Sequence, residues 1–273
     1  RSCLVGSEMC IRDRAIRMPY AHYEAFGTNV DGIYQQLSTA LLQIENEFYS
    51  PIRPKRVTQT GETPLQALSR RGVEYIEVRC LDLNPLVALG IDETTIDFLD
   101  VFLITCLSIE SPPCDKQEFA LIGENQSLIV NQGRQPQLEI HCGKQKSQMS
   151  SIATEFLAKA IDVAEQLDRA NNTQRYSKSV RLQQDKLNDP ALTPSAQVFN
   201  TLQRFNISHV EFALQQSDAH HRHHVAYKLD PKIERDLVQQ AAASIEAQRL
   251  IEQNDQQTFS DFLKSYYAQS AKL

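Results

Sequence analysis

Two stretches decide the fold: QIENEFYSPIRPKR, from Gln43 to Arg56, and RRGVEYIEVRCLDLNP, from Arg70 to Pro85. From Leu41 to Arg53 the residues alternate with period two. Leu42, Ile44, Phe48 and Ile52 fall on one side, and Gln43, Glu45, Glu47, Tyr49 and Arg53 on the other. This pattern predicts a strand with one buried face and one functionalised face. Pro51 and Pro54 confine Arg53 to Arg56 to an extended exit. In the second stretch, Val73 to Leu83 alternates again. Ile76, Val78 and Cys80 share an apolar face, while Tyr75, Glu77 and Arg79 project together from the other until Asn84-Pro85 stops the strand. Between the two, Thr60-Gly61-Glu62-Thr63-Pro64 reads as a turn, followed by a short helix from Leu65 to Arg71 that ends at Gly72.

Outward from this core the pattern turns helical. Asp92 is the expected N-cap of a helix from about Glu93 to Ile109, stopped by Ser111-Pro112-Pro113. Its apolar positions are Ile96, Leu99, Phe102, Leu103 and Cys106, and its apolar C-terminal half is expected to lie buried against the sheet. Residues 115–149 look mixed, with strand-like pieces at Ser127–Val130 and Leu138–His141. From Ser151 an apolar stripe (Ile152, Phe156, Leu157, Ile161, Ala164, Leu167) predicts a helix broken at Asn171-Asn172. Further helices are expected at about Arg175–Leu187, Pro194–Gln216, Pro231–Gln253 and Thr258–Ala268, with Thr193-Pro194 as a start signal. The predicted class is α+β, with strands in the first half and helices alone in the second.

Composition narrows the functional classes. The 273 residues are 41% hydrophobic and 23% charged, which is globular usage. Lys and Arg total 28 against 34 Asp and Glu, and the net charge of -6 argues against a surface built to grip nucleic acid. The apolar run Val101–Leu107 is far shorter than the roughly 20 residues of a membrane span. Gly27 and Gly32 have P-loop spacing, but Ile33 and Tyr34 follow where Lys and Ser or Thr are required. Six cysteines at scattered spacings, without a CxxC pair, fit a reducing cytoplasm. The opening RSCLVGSEMCIRDR, residues 1–14, is neither a signal peptide nor a periodic element. It resembles a translated sequencing-adapter artefact, so it is set apart and the remainder is expected to be the C-terminal part of a longer product.

If the two strands belong to one sheet, their polar faces bring carboxylates, phenols and guanidinium groups to one wall. Such a wall suits a nucleotide triphosphate with hard divalent cations, because carboxylates ligate Mg²⁺ and Arg matches phosphoryl oxygens. The competing reading is an amphipathic sheet whose polar face meets water. For Arg53-Pro54-Lys55-Arg56 it is a solvated basic turn.

On these residues the chain resembles the proteobacterial type of glutamate–cysteine ligase. The likeness lies in the two quoted stretches, the TGETP turn, and GIDETTIDFLDVFLI from Gly90 to Ile104, thinning to LTPSAQVF at Leu192–Phe199 and the final helices. The resemblance implies a glutamine-synthetase-like curved antiparallel sheet, a cup backed by helices. Residues 15–150 would be the C-terminal part of that catalytic sheet with its helices, and 151–273 a helical region packed on it. It implies an ATP- and Mg²⁺-dependent ligase that joins the γ-carboxylate of L-glutamate to the amine of L-cysteine through an acyl phosphate, the first step of glutathione synthesis. Glu77 matches the family's metal-ligating glutamate, Arg79 the arginine at the transferred phosphoryl group, and Tyr49 a tyrosine of the cysteine pocket. Arg53 and Lys55 are expected to support the anionic substrates. The family's other metal carboxylates lie in an N-terminal half that this sequence does not contain, so the chain is expected to be inactive alone. The alternative is a non-catalytic binding or regulatory module that retains the cup wall.

Two residue groups fall outside that scheme. His220, His221, His223 and His224 invite a transition-metal reading, but with no Cys at finger spacing they read rather as a solvated helix end or loop. Cys80 and Cys106, on apolar faces, are expected to pack rather than react.

Overall fold

The computed structural model describes residues 11–59, 61–111 and 115–270. Thr60 of the turn, the Pro112-Pro113 stop, and Cys3, Cys10 and Cys114 lie outside the described residues. The class is α+β, and the chain divides into two compact units: residues 82–226, and residues 2–81 with 227–273.

In the second of these units, residues 11–17 are helical, Ala21–Glu24 makes one turn, and β1 (Asn29–Val30) pairs with β2 (Ile33–Tyr34). Two strands then carry the signature stretches: β3 (Ile52–Lys55) pairs antiparallel with β4 (Tyr75–Val78). Both are much shorter than the alternation suggests. The expected strand from Leu41 to Arg53 is replaced by bends, a 3-10 turn at Glu45–Glu47, and only then β3. Asn46 marks the reason. It occupies the place an apolar residue would hold in an alternating strand, and there the chain turns instead.

Helix α1 (Pro64–Arg71) starts as predicted. Thr63 and Gln66 form a reciprocal capping box, Pro64 sits at the first position, and Gly72 closes the helix at φ 71°. The unit is completed by α8 (Pro231–Asn254) and α9 (Phe259–Ser270), within two residues of the expected boundaries.

The unit 82–226 has a helical core. Helix α2 (Glu93–Ser108), capped by Asp92, packs against α4 (Met149–Asn171) and α5 (Arg175–Asn188). Val101, Leu157, Ala160, Ala164, Tyr176 and Val180 form the buried centre, with Phe98, Phe156, Ile161 and Leu167 packed against it. The α4 stripe therefore behaves as its spacing predicts. Helix α2 does not. It buries Asp97, Val101 and Thr105 against helices rather than a sheet, and it leaves Ile96, Ile104 and Leu107 exposed. Arg175 Nε lies 3.1 Å from Asp97 Oδ1, which lets this carboxylate sit inside the contact. Cys106 is exposed, and so is Cys80 beyond β4. Neither thiol packs as expected.

Helix α3 (Lys116–Gln132) takes in Ser127–Val130, the first strand-like piece, whereas the second coincides with β5 (Glu139–Cys142), paired with β6 (Gln145–Gln148). The side chain of Asn125 ties the two, accepting from His141 N at 2.8 Å and donating to His141 O at 2.7 Å. The segment expected as one helix from Pro194 to Gln216 is two, α6 (Pro194–Phe205) and α7 (His209–Ala226), divided at Asn206 in the left-handed region. Sheets among the described residues are three separate two-stranded ribbons. No helix among them is long and apolar enough to cross a membrane.

Candidate active site

The β3–β4 register sets Arg53 opposite Glu77 and Lys55 opposite Tyr75, so the side chains at 53, 55, 75 and 77 leave the ribbon on one side. Two bonds extend the ladder at its ends: Arg79 N–H donates to Pro51 O at 2.7 Å, and Glu74 N–H to Lys55 O at 2.9 Å. Position 79 thus stays in phase with 77.

Glu77 is the hub. Its Oε1 accepts from Arg79 Nε at 2.6 Å, and its Oε2 lies 3.2 Å from Lys55 Nζ. The hydrogen bond from Arg79 holds the Glu77 carboxyl below the usual carboxylate range against partial burial, and Lys55 adds to it. The same bond, together with Tyr49, pushes the Arg79 guanidinium up. The Arg79 guanidinium carbon stands 4.8 Å from the centre of the Tyr49 ring, within cation–π range. Tyr49 is not on a strand; it lies between the 3-10 turn and β3, 77% exposed, so its ring forms an open plate beside the charged groups.

Of the five expected site residues, Tyr49, Lys55, Glu77 and Arg79 make one contact set. Arg53 lies opposite Glu77 in the strand register. It is buried, and its charge acts on Glu45. Glu45, placed on the outward polar face by the alternation, is also buried. It accepts from Leu65 N–H at 2.8 Å at the start of α1 and bonds the Thr63 side chain. Burial pushes its carboxyl up, more strongly than these bonds and the nearby Arg12 and Arg53 pull it down. Residues 11–14 belong to the stretch set apart on sequence, yet Arg12 is packed inside, with its guanidinium near the Phe48 ring. Only the lapse of alternation at Asn46 hints that Glu45 turns inward.

The TGETP turn is fixed by its own acid. Glu62 accepts from Gln59 N–H at 3.1 Å and pairs with Arg71, which also donates to Val57 O at 3.0 Å. The histidine cluster lies in the other unit, on α7. His220 and His224 place Nε2 2.9 Å and 3.2 Å from the carbonyls of Pro85 and Ala88, clipping the turn that follows Asn84. Among the described residues no group of three or more His, Cys, Asp or Glu is arranged to hold a metal ion.

Chemically, the set offers a carboxylate oxygen donor, two cations able to meet an anionic oxygen, and an aromatic plate. Residues 10–129 match the family model described as glutamate-cysteine ligase. The glutamate–cysteine ligase of Pseudomonas putida KT2440 is 41% identical over 255 residues, 93% of this chain and 49% of that protein. That of Azotobacter vinelandii DJ is 43% identical over 93% of this chain and 48% of the relative. The crystal structure of the Francisella tularensis glutamate–cysteine ligase, in complex with AMP, superposes with a TM-score of 0.86 at 30% identity, covering 98% of this chain and 53% of that one. The chain spans about half the length of the relatives it matches.

Proposed function

We propose, for a chain related to the glutamate–cysteine ligases along 93% of its length, that it carries part of the active site of a cytoplasmic ATP-dependent amide ligase that makes γ-glutamylcysteine. The observation that supports it is the contact set of Glu77, Arg79, Lys55 and Tyr49 on the β3–β4 ribbon. Glu77, Arg79 and Tyr49 are the residues to which the family resemblance assigns roles, and Lys55 is added here as a support for the anionic substrates.

The reaction asks for such groups. A carboxylate is a poor electrophile, so an oxygen of the glutamate γ-carboxylate attacks the terminal phosphorus of ATP and ADP leaves. The cysteine amine then adds to the acyl carbon, loses a proton, and phosphate departs with the C–O electron pair. In the first step negative charge spreads over the moving phosphoryl oxygens. Arg79 meets those oxygens and the glutamate, Lys55 neutralises the same anionic end, and Tyr49 bounds the cysteine side with its exposed ring. Nucleotide binding is supported by the AMP in the Francisella relative.

Mg²⁺, when bound, supplies charge neutralisation at the phosphates. Glu77 fits it as one ligand: a partly exposed carboxylate on a strand, beside cations suited to phosphate. A hard cation takes several oxygens, and the described residues hold no cluster of three acidic or imidazole groups. The remaining ligands are assigned to the portion of the ligases that this chain does not span. The ribbon is correspondingly read as a piece of a larger curved sheet, a reading favoured by the exposure of Ile76 on its apolar face.

The test is an ATP-dependent assay for γ-glutamylcysteine, run on the chain alone and on the chain joined to the unmatched portion of the Pseudomonas putida ligase. Turnover is expected only in the joined protein, and E77A should abolish it without loss of helical circular dichroism. Turnover that survives E77A overturns the proposal.

A further inference from the structure

We infer that the cavity where α4 meets α5 is a binding site for a small organic polyanion, a molecule carrying phosphate or several carboxylates. Arg169, in the last turn of α4, lines it together with Lys178 and Arg181, which lie one turn apart on α5. Among the described residues none of these three cations forms an ion pair. Their neighbours do: Lys159 of α4 pairs with Glu155 at 2.8 Å, and Arg175 at the start of α5 with Asp97 at 3.1 Å. Cations gathered unpaired around one hollow focus positive potential into it. An anion seated there turns their mutual repulsion into attraction.

The two carboxylates on the cavity do not cancel this charge. Asp168 is buried, and its oxygens are taken by the N–H groups of Tyr176 and Ser177. That leaves three exposed cations against one exposed carboxylate, Glu165. Because the first N–H groups of α5 are spent on Asp168, the anion is held by side chains rather than by the helix end. Guanidinium groups suit it, since each meets two phosphoryl or carboxylate oxygens at once. Size sets the ligand class. The cavity measures about 510 Å³, within the roughly 300–1,000 Å³ of small-molecule pockets, and the Gln174 carboxamide on its wall offers a partner for an uncharged part of the molecule. Every group named belongs to this chain and to the unit 82–226, so the chain alone can be titrated.

The experiment is a titration of the full 273-residue chain with inorganic pyrophosphate and, separately, with citrate at physiological ionic strength. Backbone N–H signals are followed by NMR for wild type, R169Q, R181Q and K159Q. Saturable shifts are expected at residues 168–181, and R169Q and R181Q should each weaken binding about threefold, the scale of an exposed charge pair. K159Q removes the same charge from α4 outside the cavity and should bind like wild type. Tighter binding of pyrophosphate assigns the site to phosphorylated molecules, and tighter binding of citrate assigns it to polycarboxylates. The inference fails if neither probe gives saturable local shifts at millimolar concentration, or if either arginine variant titrates like wild type. It fails equally if K159Q is weakened as much as the arginine variants, because the attraction then belongs to the helix surface at large.

Discussion

Asp168, near the end of α4, receives the backbone N–H of Ser177 at 2.9 Å on one oxygen and that of Tyr176 at 3.0 Å on the other, closing the turn into α5 from across it. Burial pushes this carboxyl up, but the bonds from the Ser177 hydroxyl and the two N–H groups outweigh it, and the net shift is downward. A lowered folded pKa contributes stability that is present above the unfolded value, about 3.9, and is lost as pH falls through the folded one. D168A, which leaves two inward N–H donors unmet, should cost about 1–3 kcal/mol in urea unfolding at neutral pH. The deficit should shrink in acid.

Glu45 has the opposite sign. Its carboxyl is pushed up by burial, so the folded chain takes up this proton before the unfolded chain does. The stability it adds is complete below the unfolded value, about 4.3, and is lost as pH rises through the folded one. E45Q keeps an oxygen for Leu65 N–H while removing the titration. Urea midpoints measured between about pH 4 and pH 7 should therefore vary less in E45Q than in wild type.

Helix α2 shows what periodicity reveals and what it cannot. Asp92, the 3.6-residue repeat and the span were all legible, because caps and repeats are local. The buried face was not. A period gives the relative phase of apolar residues but not which partner arrives, and here α4 and α5 cover Asp97, Val101 and Thr105. V101A should cost about 2 kcal/mol through the cavity it leaves. L107S, on the exposed apolar side, should change the unfolding free energy by no more than about 0.5 kcal/mol.

Asn206 carries the break that the pattern missed. Apolar spacing continues across it, so a single helix was the natural reading, yet its backbone sits at φ 49° and its N–H closes α6 onto Gln203 O at 3.3 Å. A β-branched residue is strained there by about 1–2 kcal/mol, whereas glycine is at ease. N206V should lower the melting temperature of the chain, and N206G should leave it nearly unchanged. Equal losses in both would mean that the Asn side chain, not the left-handed turn, holds the junction.

The site was readable where two-residue spacing governs and unreadable where packing does. Glu77 and Arg79 share a strand face by geometry alone, and Lys55 joins them through the register. Glu45 is drawn inward by its bonds to Leu65 N–H and the Thr63 side chain, with Arg53 buried and its charge acting on it, and no local pattern contains that packing. The meeting of Tyr49 with Arg79 depends on the 3-10 turn that replaced the expected strand.

That meeting has two separable parts. The Tyr49 ring supplies a π face 4.8 Å from the guanidinium carbon, and the phenol supplies a hydrogen-bond acceptor to the same group. Y49F removes the oxygen and keeps the plate; Y49A removes both. Hydrogen exchange of the Arg79 Nε–H, followed by NMR, reads the difference, because that proton is held by Glu77 only while the guanidinium keeps its orientation. Exchange should be slowest in wild type, somewhat faster in Y49F and fastest in Y49A. If Y49A matches wild type, Glu77 alone orients Arg79, and the exposed ring is left free for a substrate.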